Sequence, residues 1–128
     1  MRFAPEGDAA GLRVASYDAT GIVIGGVRYT ASVLLAGDVV ESPWGPERIE
    51  ALEADHVERL CALGPEVVLL GVGAHAVLPR PGLLLPFGRR GIGVEVMATG
   101  AACRTYNILA GDGRRVAALL LPIAEPVT

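Results

Sequence analysis

Hydrophobic and polar positions alternate in short runs through the first half of the chain, a pattern typical of antiparallel strands. Ile22-Val23-Ile24 and Val27-Arg28-Tyr29 flank Gly25-Gly26, and paired glycines accept the positive φ angles of a two-residue hairpin turn. A second hairpin turns at Gly37-Asp38, and Ser42-Pro43-Trp44-Gly45-Pro46 then breaks the sheet. The pattern predicts an antiparallel meander with strands near residues 12–17, 22–24, 27–29, 32–36 and 39–41.

The second half alternates between helical and strand periodicity. Asp55 and Glu58 have the spacing of a capping box in front of an apolar helical face, and Gly64-Pro65 ends that helix. Val67–Leu70 is a continuous apolar run, typical of a strand covered on both faces. We expect next a short helix over 82–90, a strand over 92–97, a helix over 100–110 and a strand over 116–121. The prediction is a mixed α/β (α+β) fold in which an N-terminal meander precedes a β-α-β-α-β unit with parallel strands.

Length and composition favour one globular domain over residues 1–128, with residues 1–11 loosely ordered. The chain has 128 residues, 52% of them hydrophobic, together with 17 Gly and 9 Pro that imply many tight turns. No apolar run approaches the roughly 20 residues of a membrane-spanning helix. The first residues, up to Asp8, contain no apolar stretch of a signal peptide. We therefore expect a cytoplasmic protein.

The distribution of charge is uneven. The net charge of −3 argues against nucleic-acid binding, and all 11 basic side chains are arginine. Residues 1–74 carry 5 Arg against 11 acidic residues, a net charge of −6, whereas residues 75–128 carry 6 Arg against 3 acidic residues, a net charge of +3. Two interpretations remain open: the arginines form a patch that attracts a small anion, or they are ordinary solvated charges.

Cysteine and histidine are too few to predict a disulfide framework or a metal site. Cys61 and Cys103 lie far apart without a CxxC motif, and in a cytosolic chain they are expected to be reduced. His56 and His75 are the two histidines, and neither belongs to a cluster of metal ligands. We expect no metal and no cofactor.

The junction between the predicted strand ending at Met97 and the helix after Gly100 is the strongest candidate site. Free backbone N–H groups and the positive end of the helix dipole converge at such a junction. Gly71-Val72-Gly73 ends the other apolar strand, and the ends of neighbouring parallel strands meet at one edge of a sheet. The residues expected to line a small cleft there are Gly71, Gly73, Gly100, Ala101, Arg104 and Asn107.

Two kinds of chemistry are conceivable in this cleft. Cys103 lies in the first turns of the helix beside Arg104, two features that favour the thiolate. His75 could approach it as a base if the two parallel strands are neighbours. Cys103 packing as a small apolar residue is the alternative. Arg104 either binds an anion or pairs with Glu95, and Asn107 either lines the cleft or caps a neighbouring loop. Cys61, Trp44 and Tyr106 are expected in the core, with Trp44 alternatively an exposed interface residue.

Several blocks of the sequence carry a resemblance to a known family. They are Ser16-Tyr17, Gly26–Tyr29 with Ser32–Leu34, Trp44, Leu70–Gly73, Arg90–Met97, Thr99–Asn107 and Arg114–Ala118. On these blocks the chain resembles the Mth 938-like domain family (domain of unknown function 498). The resemblance spans nearly the whole chain after Val14, and the block from Thr99 is the most specific part.

The resemblance implies a compact α/β fold and a role in protein binding or assembly. Eukaryotic relatives include a mitochondrial factor that helps to assemble respiratory complex I, and bacterial members have no agreed activity. The chain departs from the family at two positions, with Val72 where threonine is usual and Ala98 where aspartate is usual. We expect a bacterial, non-enzymatic domain with a protein partner. The alternatives are a small-anion-binding protein or thiol-dependent enzyme that uses Cys103 and Arg104, and a homo-oligomer that pairs through an exposed meander edge.

Overall fold

The structure is a computed structural model that describes residues 11–124. The N-terminal segment expected to be loosely ordered, residues 1–11, lies outside the described residues except for Gly11. The described chain contains eight strands, three α-helices and a short 3₁₀ turn, divided between a small and a large sheet. The mixed α/β fold predicted from the sequence is confirmed.

The small sheet contains the first three predicted strands in antiparallel order. They are β1 (Val14–Asp18), β2 (Gly21–Ile24) and β3 (Val27–Tyr29). Gly25 and Gly26 both have positive φ, 59° and 82°, as a tight hairpin turn between β2 and β3 requires. The register between β1 and β2 shifts between Val14 and Ser16, so that β1 bends at this irregularity.

The large sheet has five strands in the order β5-β4-β8-β6-β7. β6 runs parallel to both β7 and β8, while β4 runs antiparallel to β5 and β8. The parallel β-α-β-α-β unit is therefore confirmed. The strands are β4 (Val33–Ala36), β5 (Val39–Glu41), β6 (Val67–Gly71), β7 (Gly93–Met97) and β8 (Val116–Leu120).

The predicted continuous meander is wrong in one respect, because its second hairpin belongs to the other sheet. β4 pairs with β8 rather than with β3. The physical reason is burial. Val33, Leu34 and Leu35 of β4 are all buried, so this strand needs cover on both faces, whereas Val27 at the start of β3 is 50% exposed.

The helices are α1 (Ala54–Ala62), α2 (Leu85–Arg89) and α3 (Thr99–Gly111). The predicted capping box at Asp55 and Glu58 is wrong, because α1 begins two residues earlier. Glu53 is the N-cap residue, and its backbone N–H donates to Nδ1 of His56 at 2.9 Å. The same three-residue spacing recurs there, with imidazole nitrogen as the acceptor. Pro86 lies in the first turn of α2, which shortens the helix predicted over 82–90.

The large sheet separates two hydrophobic clusters. One cluster lies between the sheet and helices α1 and α2, with Leu60, Leu70 and Phe87 among its buried members. The other lies between the opposite face, helix α3 and the small sheet, and it includes Ile22 and Tyr106. β6 is buried along its whole length because it lies between both clusters. The carboxyl ends of β6, β7 and β8 therefore lie close to the start of α3.

Candidate functional site

The ends of the three parallel strands are joined directly to the first residue of α3. The N–H of Val72 donates to the carbonyl of Met97 at 2.9 Å, and the N–H of Leu121 donates to the carbonyl of Gly71 at 2.8 Å. The N–H of Thr99 donates to the carbonyl of Gly73 at 2.8 Å. The glycines of β6 and the first turn of α3 are thus neighbours, as the topology of parallel strands requires.

Thr99 is the residue that sequence reasoning missed. Its fully buried hydroxyl accepts the N–H of Gly73 at 2.8 Å and donates to the carbonyl of Leu121 at 2.8 Å. One side chain therefore satisfies a backbone donor after β6 and a backbone acceptor after β8. The available signal was a threonine placed between a strand and a helix, because such a residue readily bonds to nearby backbone.

Gly71 allows α3 to lie directly against β6. A Cβ atom on Gly71 would lie 3.0 Å from the Cα of Thr99 and 3.0 Å from the Cβ of Ala102. Any larger residue would push the helix away from the sheet. Gly73 has a φ of 106°, which favours glycine. Gly71 is thus explained by the close approach of α3, and Gly73 by its unusual backbone conformation.

The predicted hollow above Gly100 contains an aromatic ring. A Cβ atom on Gly100 would lie 2.7 Å from Cε1 of Tyr17, so the tyrosine of β1 covers the first turn of α3. The guanidinium of Arg104 donates to the Tyr17 hydroxyl and its central carbon lies 5.9 Å from the centre of the ring. Ala101 is half-buried beside them. The anion site, one of the two roles left open for Arg104, stays a prediction; in the structure the guanidinium contacts Tyr17, between α3 and the small sheet.

Arg104 also lacks the alternative partner that we considered. Glu95 is exposed on β7, and within residues 11–124 no ion pair or hydrogen bond joins it to Arg104 or to any other side chain. An acidic residue in a strand of the sheet is therefore tolerated because it faces solvent, and its carboxylate stays unpaired.

Cys103 does not have the lowered pKa that its helix position suggested. The side chain is 1% exposed, and its burial raises the pKa of the thiol from 9.0 to about 12, although Arg104 opposes that shift. The prediction of a stabilised thiolate is wrong, because loss of solvation outweighs the neighbouring positive charge. The thiol packs with Ala102 and Tyr106 in the cluster beneath α3.

His75 lies on a different side of the strand ends from Cys103. It lines a small cavity of about 90 Å³ together with Val72, Gly73 and the acidic residues Glu47 and Glu50. No residue of α3 lines this cavity. The predicted cleft spanning residues 71–75 and 97–107 is therefore not a single hollow, because Thr99 and Tyr17 fill the space between its two halves.

Asn107 forms a tertiary contact instead of lining a cleft. Its Oδ1 accepts the N–H of Val14 at 2.9 Å, and its Nδ2 donates to the carbonyl of the same residue at 2.9 Å. Of the two roles left open for Asn107, binding to a neighbouring backbone segment is the one observed. The amide ties α3 to β1 beside the register shift.

The two departures from the family pattern fall at the same strand ends. Val72 is buried in the cluster on the α1 side, and Ala98 is the N-cap of α3, where its side chain makes no capping hydrogen bond. Aspartate is among the best N-cap residues, because its side chain accepts a hydrogen bond from the first turn of the helix. Alanine at position 98 lacks this hydrogen bond, and the side chain of Thr99 does not replace it.

Four arginines of the second half, Arg80, Arg90, Arg114 and Arg115, form ion pairs with acidic residues of the first half. Arg90 binds Glu58 at 2.7 Å, and Arg114 binds Glu66 at 2.7 Å, with Arg115 at 3.4 Å from the same carboxylate. The hydrogen bond from Arg114 lowers the pKa of Glu66. Exposed pairs of this kind contribute little stability, but they reduce the excess positive charge predicted for residues 75–128.

The remaining predictions for single residues concern burial. Trp44 is buried, and the guanidinium of Arg59 lies 4.8 Å above its ring. Tyr106 is fully buried, its hydroxyl accepts the N–H of Gly37 at 3.0 Å, and burial raises its pKa. Cys61 is buried as well, and burial is the main cause of its raised pKa. All three are core residues, as expected.

Residues 11–124 contain neither a cluster of metal ligands nor a helix that could span a membrane. These residues contain no group of three or more histidine, cysteine, aspartate or glutamate side chains that could hold a metal ion. Within the same range, every helix is too short or too polar to cross a bilayer.

Fold and site together define a small α/β domain of the Mth938-like class, whose parallel-strand ends are filled by its own side chains. The model of the family described as "Protein of unknown function (DUF498/DUF598)" matches residues 14–121, and the chain belongs to this family. The resemblance seen in the sequence blocks is confirmed.

Solved structures of related proteins have the same fold. A crystal structure from Bordetella parapertussis is 37% identical, has a TM-score of 0.81 and covers 87% of this chain and 95% of that chain. A solution structure of a Mth938-like domain from Bordetella pertussis is 29% identical, also with a TM-score of 0.81, and covers 99% of this chain and 96% of that chain.

Two relatives with different names are also similar to this chain. The bovine NADH dehydrogenase [ubiquinone] 1 alpha subcomplex assembly factor 3 is 33% identical over 84% of this chain and 59% of its own length. The chain thus spans about three fifths of that relative. A protein of Francisella tularensis named 13 kDa major membrane protein is 29% identical over 70% of this chain and 72% of that protein.

Proposed function

We propose that this protein is a non-enzymatic protein-binding domain that acts as an assembly factor. The observation that carries the proposal is that side chains of the protein itself lie at the predicted ligand site, at the start of α3. The ring of Tyr17 covers Gly100, and the hydroxyl of Thr99 accepts a hydrogen bond from the N–H of Gly73. The N–H groups of Gly73, Thr99 and Ala102, which a small ligand could use at this site, already have partners inside the protein.

Two further surface features, the cavity beside His75 and an apolar groove, are consistent with a protein partner. The cavity beside His75, about 90 Å³, is well below the roughly 300–1,000 Å³ of typical ligand pockets. A groove of about 380 Å³ between Leu78, Leu85 and Val94 is shallow and mostly apolar. Shallow apolar surface of this kind is typical of sites for protein partners.

The animal relatives are named as assembly factors of NADH dehydrogenase, and we propose a partner of the same class for this chain, a subunit of a respiratory NADH dehydrogenase. Because the chain spans only part of those relatives, the activity of the whole protein is part of the proposal. We further propose that the domain works in the cytoplasm, on the side of the membrane where such subunits fold.

Affinity purification of the tagged protein from its native host, followed by quantitative mass spectrometry, tests this function. The expected result is recovery of NADH dehydrogenase subunits in a fixed ratio to the bait, and lower abundance of the assembled complex when the protein is depleted. A matched control is the Cys103→Ala variant, which should recover the same subunits because Cys103 is buried. Failure to recover any subunit would refute the proposal, and turnover of a metabolite that requires Cys103 would favour an enzyme instead.

A further inference from the structure

The outer edge of β7 has backbone hydrogen-bonding groups without partners. The N–H of Gly93 donates to Glu66, and the carbonyl of Met97 accepts from Val72, so odd-numbered residues of β7 bond to β6. The N–H and C=O groups of Val94 and Val96 then point away from β6, because bonding direction alternates along a strand. β7 is the last strand of the sheet, and within residues 11–124 no hydrogen bond reaches these groups.

An apolar groove runs beside this free edge. Leu78, Leu84 and Leu85 line it together with Ile92 and Val94 of the strand region. Leu78 is 79% exposed and Leu85 is 57% exposed, which is unusual for large apolar side chains. A strand added to β7 would place every second side chain over this groove, because side chains alternate between the faces of a sheet.

The opposite face of the edge carries a negative charge. Glu95 is exposed between Val94 and Val96, and its carboxylate has no partner among the described residues. A residue directly across from Glu95 on an added strand would lie within about 5 Å at the Cβ atoms. A basic side chain is favoured at that position and an acidic one is disfavoured.

We infer that the free edge of β7 binds an extended segment of a partner protein by strand addition. The segment places apolar side chains at alternate positions over the groove beside Leu78 and Leu85, and a lysine or arginine opposite Glu95. This inference rests on the proposed protein-binding function and identifies the surface and the kind of segment that it uses.

A second copy of this chain is a poorer occupant of the same edge. Two β7 strands paired antiparallel about their centres would place Glu95 directly opposite the second copy's Glu95. Like charges in that position are destabilising. The charge of the edge therefore favours a basic segment from a different protein over self-association.

A synthetic peptide tests the inference directly. The heptapeptide Leu-Thr-Val-Arg-Val-Thr-Leu reads the same in both directions, and it places valines across from Val94 and Val96 when arginine faces Glu95. We expect it to bind in a fluorescence titration and to slow amide hydrogen exchange at Val94 and Val96 in NMR spectra. The control peptide with glutamate in place of arginine should bind about fivefold or more weakly, the order expected for a change of cross-strand charge pairing.

Two variants separate strand addition from other modes of binding. Glu95→Arg should reverse the preference between the two peptides, and its exposed position leaves the fold intact. Val94→Pro removes an outward N–H and should therefore abolish binding. The variant should still fold, because this N–H makes no bond to β6 and proline is tolerated at a strand edge. Circular dichroism and the melting temperature establish that each variant is folded.

Several outcomes would overturn this assignment. They are unchanged exchange at Val94 and Val96 with the arginine peptide, equal binding of both peptides, or sedimentation as a dimer whose second copy protects those amides. If the folded Glu95→Arg variant still recovers every partner of the parent protein from the host, the site is wrong but the proposed function stands. If the parent protein recovers no partner, the proposed function itself fails.

Discussion

The side-chain amide of Asn107 makes two hydrogen bonds to the backbone of Val14, 93 positions away in the sequence. Donor and acceptor of the carboxamide meet the carbonyl and the N–H of one residue, as the opposite residue of a neighbouring antiparallel strand would do. β1 has β2 on one side, and on the other side this amide takes the place of a strand partner. The contact holds the small sheet against α3, and it also brings Tyr17 over Gly100.

Replacing Asn107 tests how much this contact contributes to the fold. We expect Asn107→Ala to lower the free energy of unfolding by about 1–3 kcal/mol, because two half-buried backbone groups of Val14 lose their partners. Urea denaturation followed by circular dichroism measures the change. The control is Ile108→Ala at the next position, 63% exposed, where we expect a change within about 0.5 kcal/mol. Equal effects of the two substitutions would mean that the amide contact contributes nothing specific.

Replacing the hydroxyl of Thr99 tests the junction of the three strand ends. Thr99→Val keeps the shape of the side chain but leaves the N–H of Gly73 and the carbonyl of Leu121 without their partner. We expect a loss of about 1–3 kcal/mol in the free energy of unfolding, measured by thermal and urea denaturation. Thr99→Ser keeps the hydroxyl and should retain most of the stability. A valine variant as stable as the serine variant would contradict the assigned role of the hydroxyl.

Because Gly100 contacts Tyr17, the Gly100→Ala substitution should change the free energy of unfolding in opposite directions in the parent protein and in a Tyr17→Ala variant. Gly100→Ala in the parent protein should be destabilising, because the new Cβ would lie 2.7 Å from the tyrosine ring and displace it. In a Tyr17→Ala background the same substitution should be stabilising by up to about 1 kcal/mol, since alanine favours a helix over glycine. A double-mutant cycle of urea unfolding free energies measures the coupling. Additive effects would show that the ring does not cover this turn.

Buried Cys103 predicts a loss of stability at alkaline pH. In the folded protein its thiol has a pKa of about 12, whereas the ordinary value is 9.0. Above about pH 9 the unfolded chain therefore loses this proton while the folded chain keeps it, and the free energy of unfolding falls as the pH rises. The raised pKa of Tyr106 acts in the same direction above about pH 10. Urea unfolding at intervals from pH 8 to pH 10 measures the slope.

A variant and a reagent separate the contribution of Cys103. In Cys103→Ala the fall in stability between pH 9 and pH 10 should be shallower than in the parent protein. Iodoacetamide should alkylate Cys103 of the folded protein at neutral pH more slowly than it alkylates a free thiol, because the thiol is 1% exposed and protonated. Alkylation as fast as that of a free thiol would restore the hypothesis of an activated nucleophile.

Local sequence patterns predicted the elements, but they could not predict the surroundings of the candidate site residues. The Gly25-Gly26 turn, the apolar run of β6 and the strand–helix junction before Gly100 all depend on residues that are adjacent in sequence. The pKa of Cys103 could not be predicted in the same way. Its helix position and Arg104 are local features, but the burial that outweighs them comes from β6, β8 and the small sheet. Thr99 was missed because both partners of its hydroxyl lie far away in sequence.

The sequence by itself determined the family, the mixed α/β class, the parallel unit and the boundaries of most strands and helices. These properties depend on periodicity, turn residues and motif blocks, and each can be read within a short window. Only the tertiary structure decided that β4 joins β8, that some arginines of the second half pair with acidic residues of the first, and that Tyr17 covers Gly100 while Thr99 bonds to Gly73. Those outcomes depend on which distant surfaces meet, and no local pattern of residues encodes that choice directly.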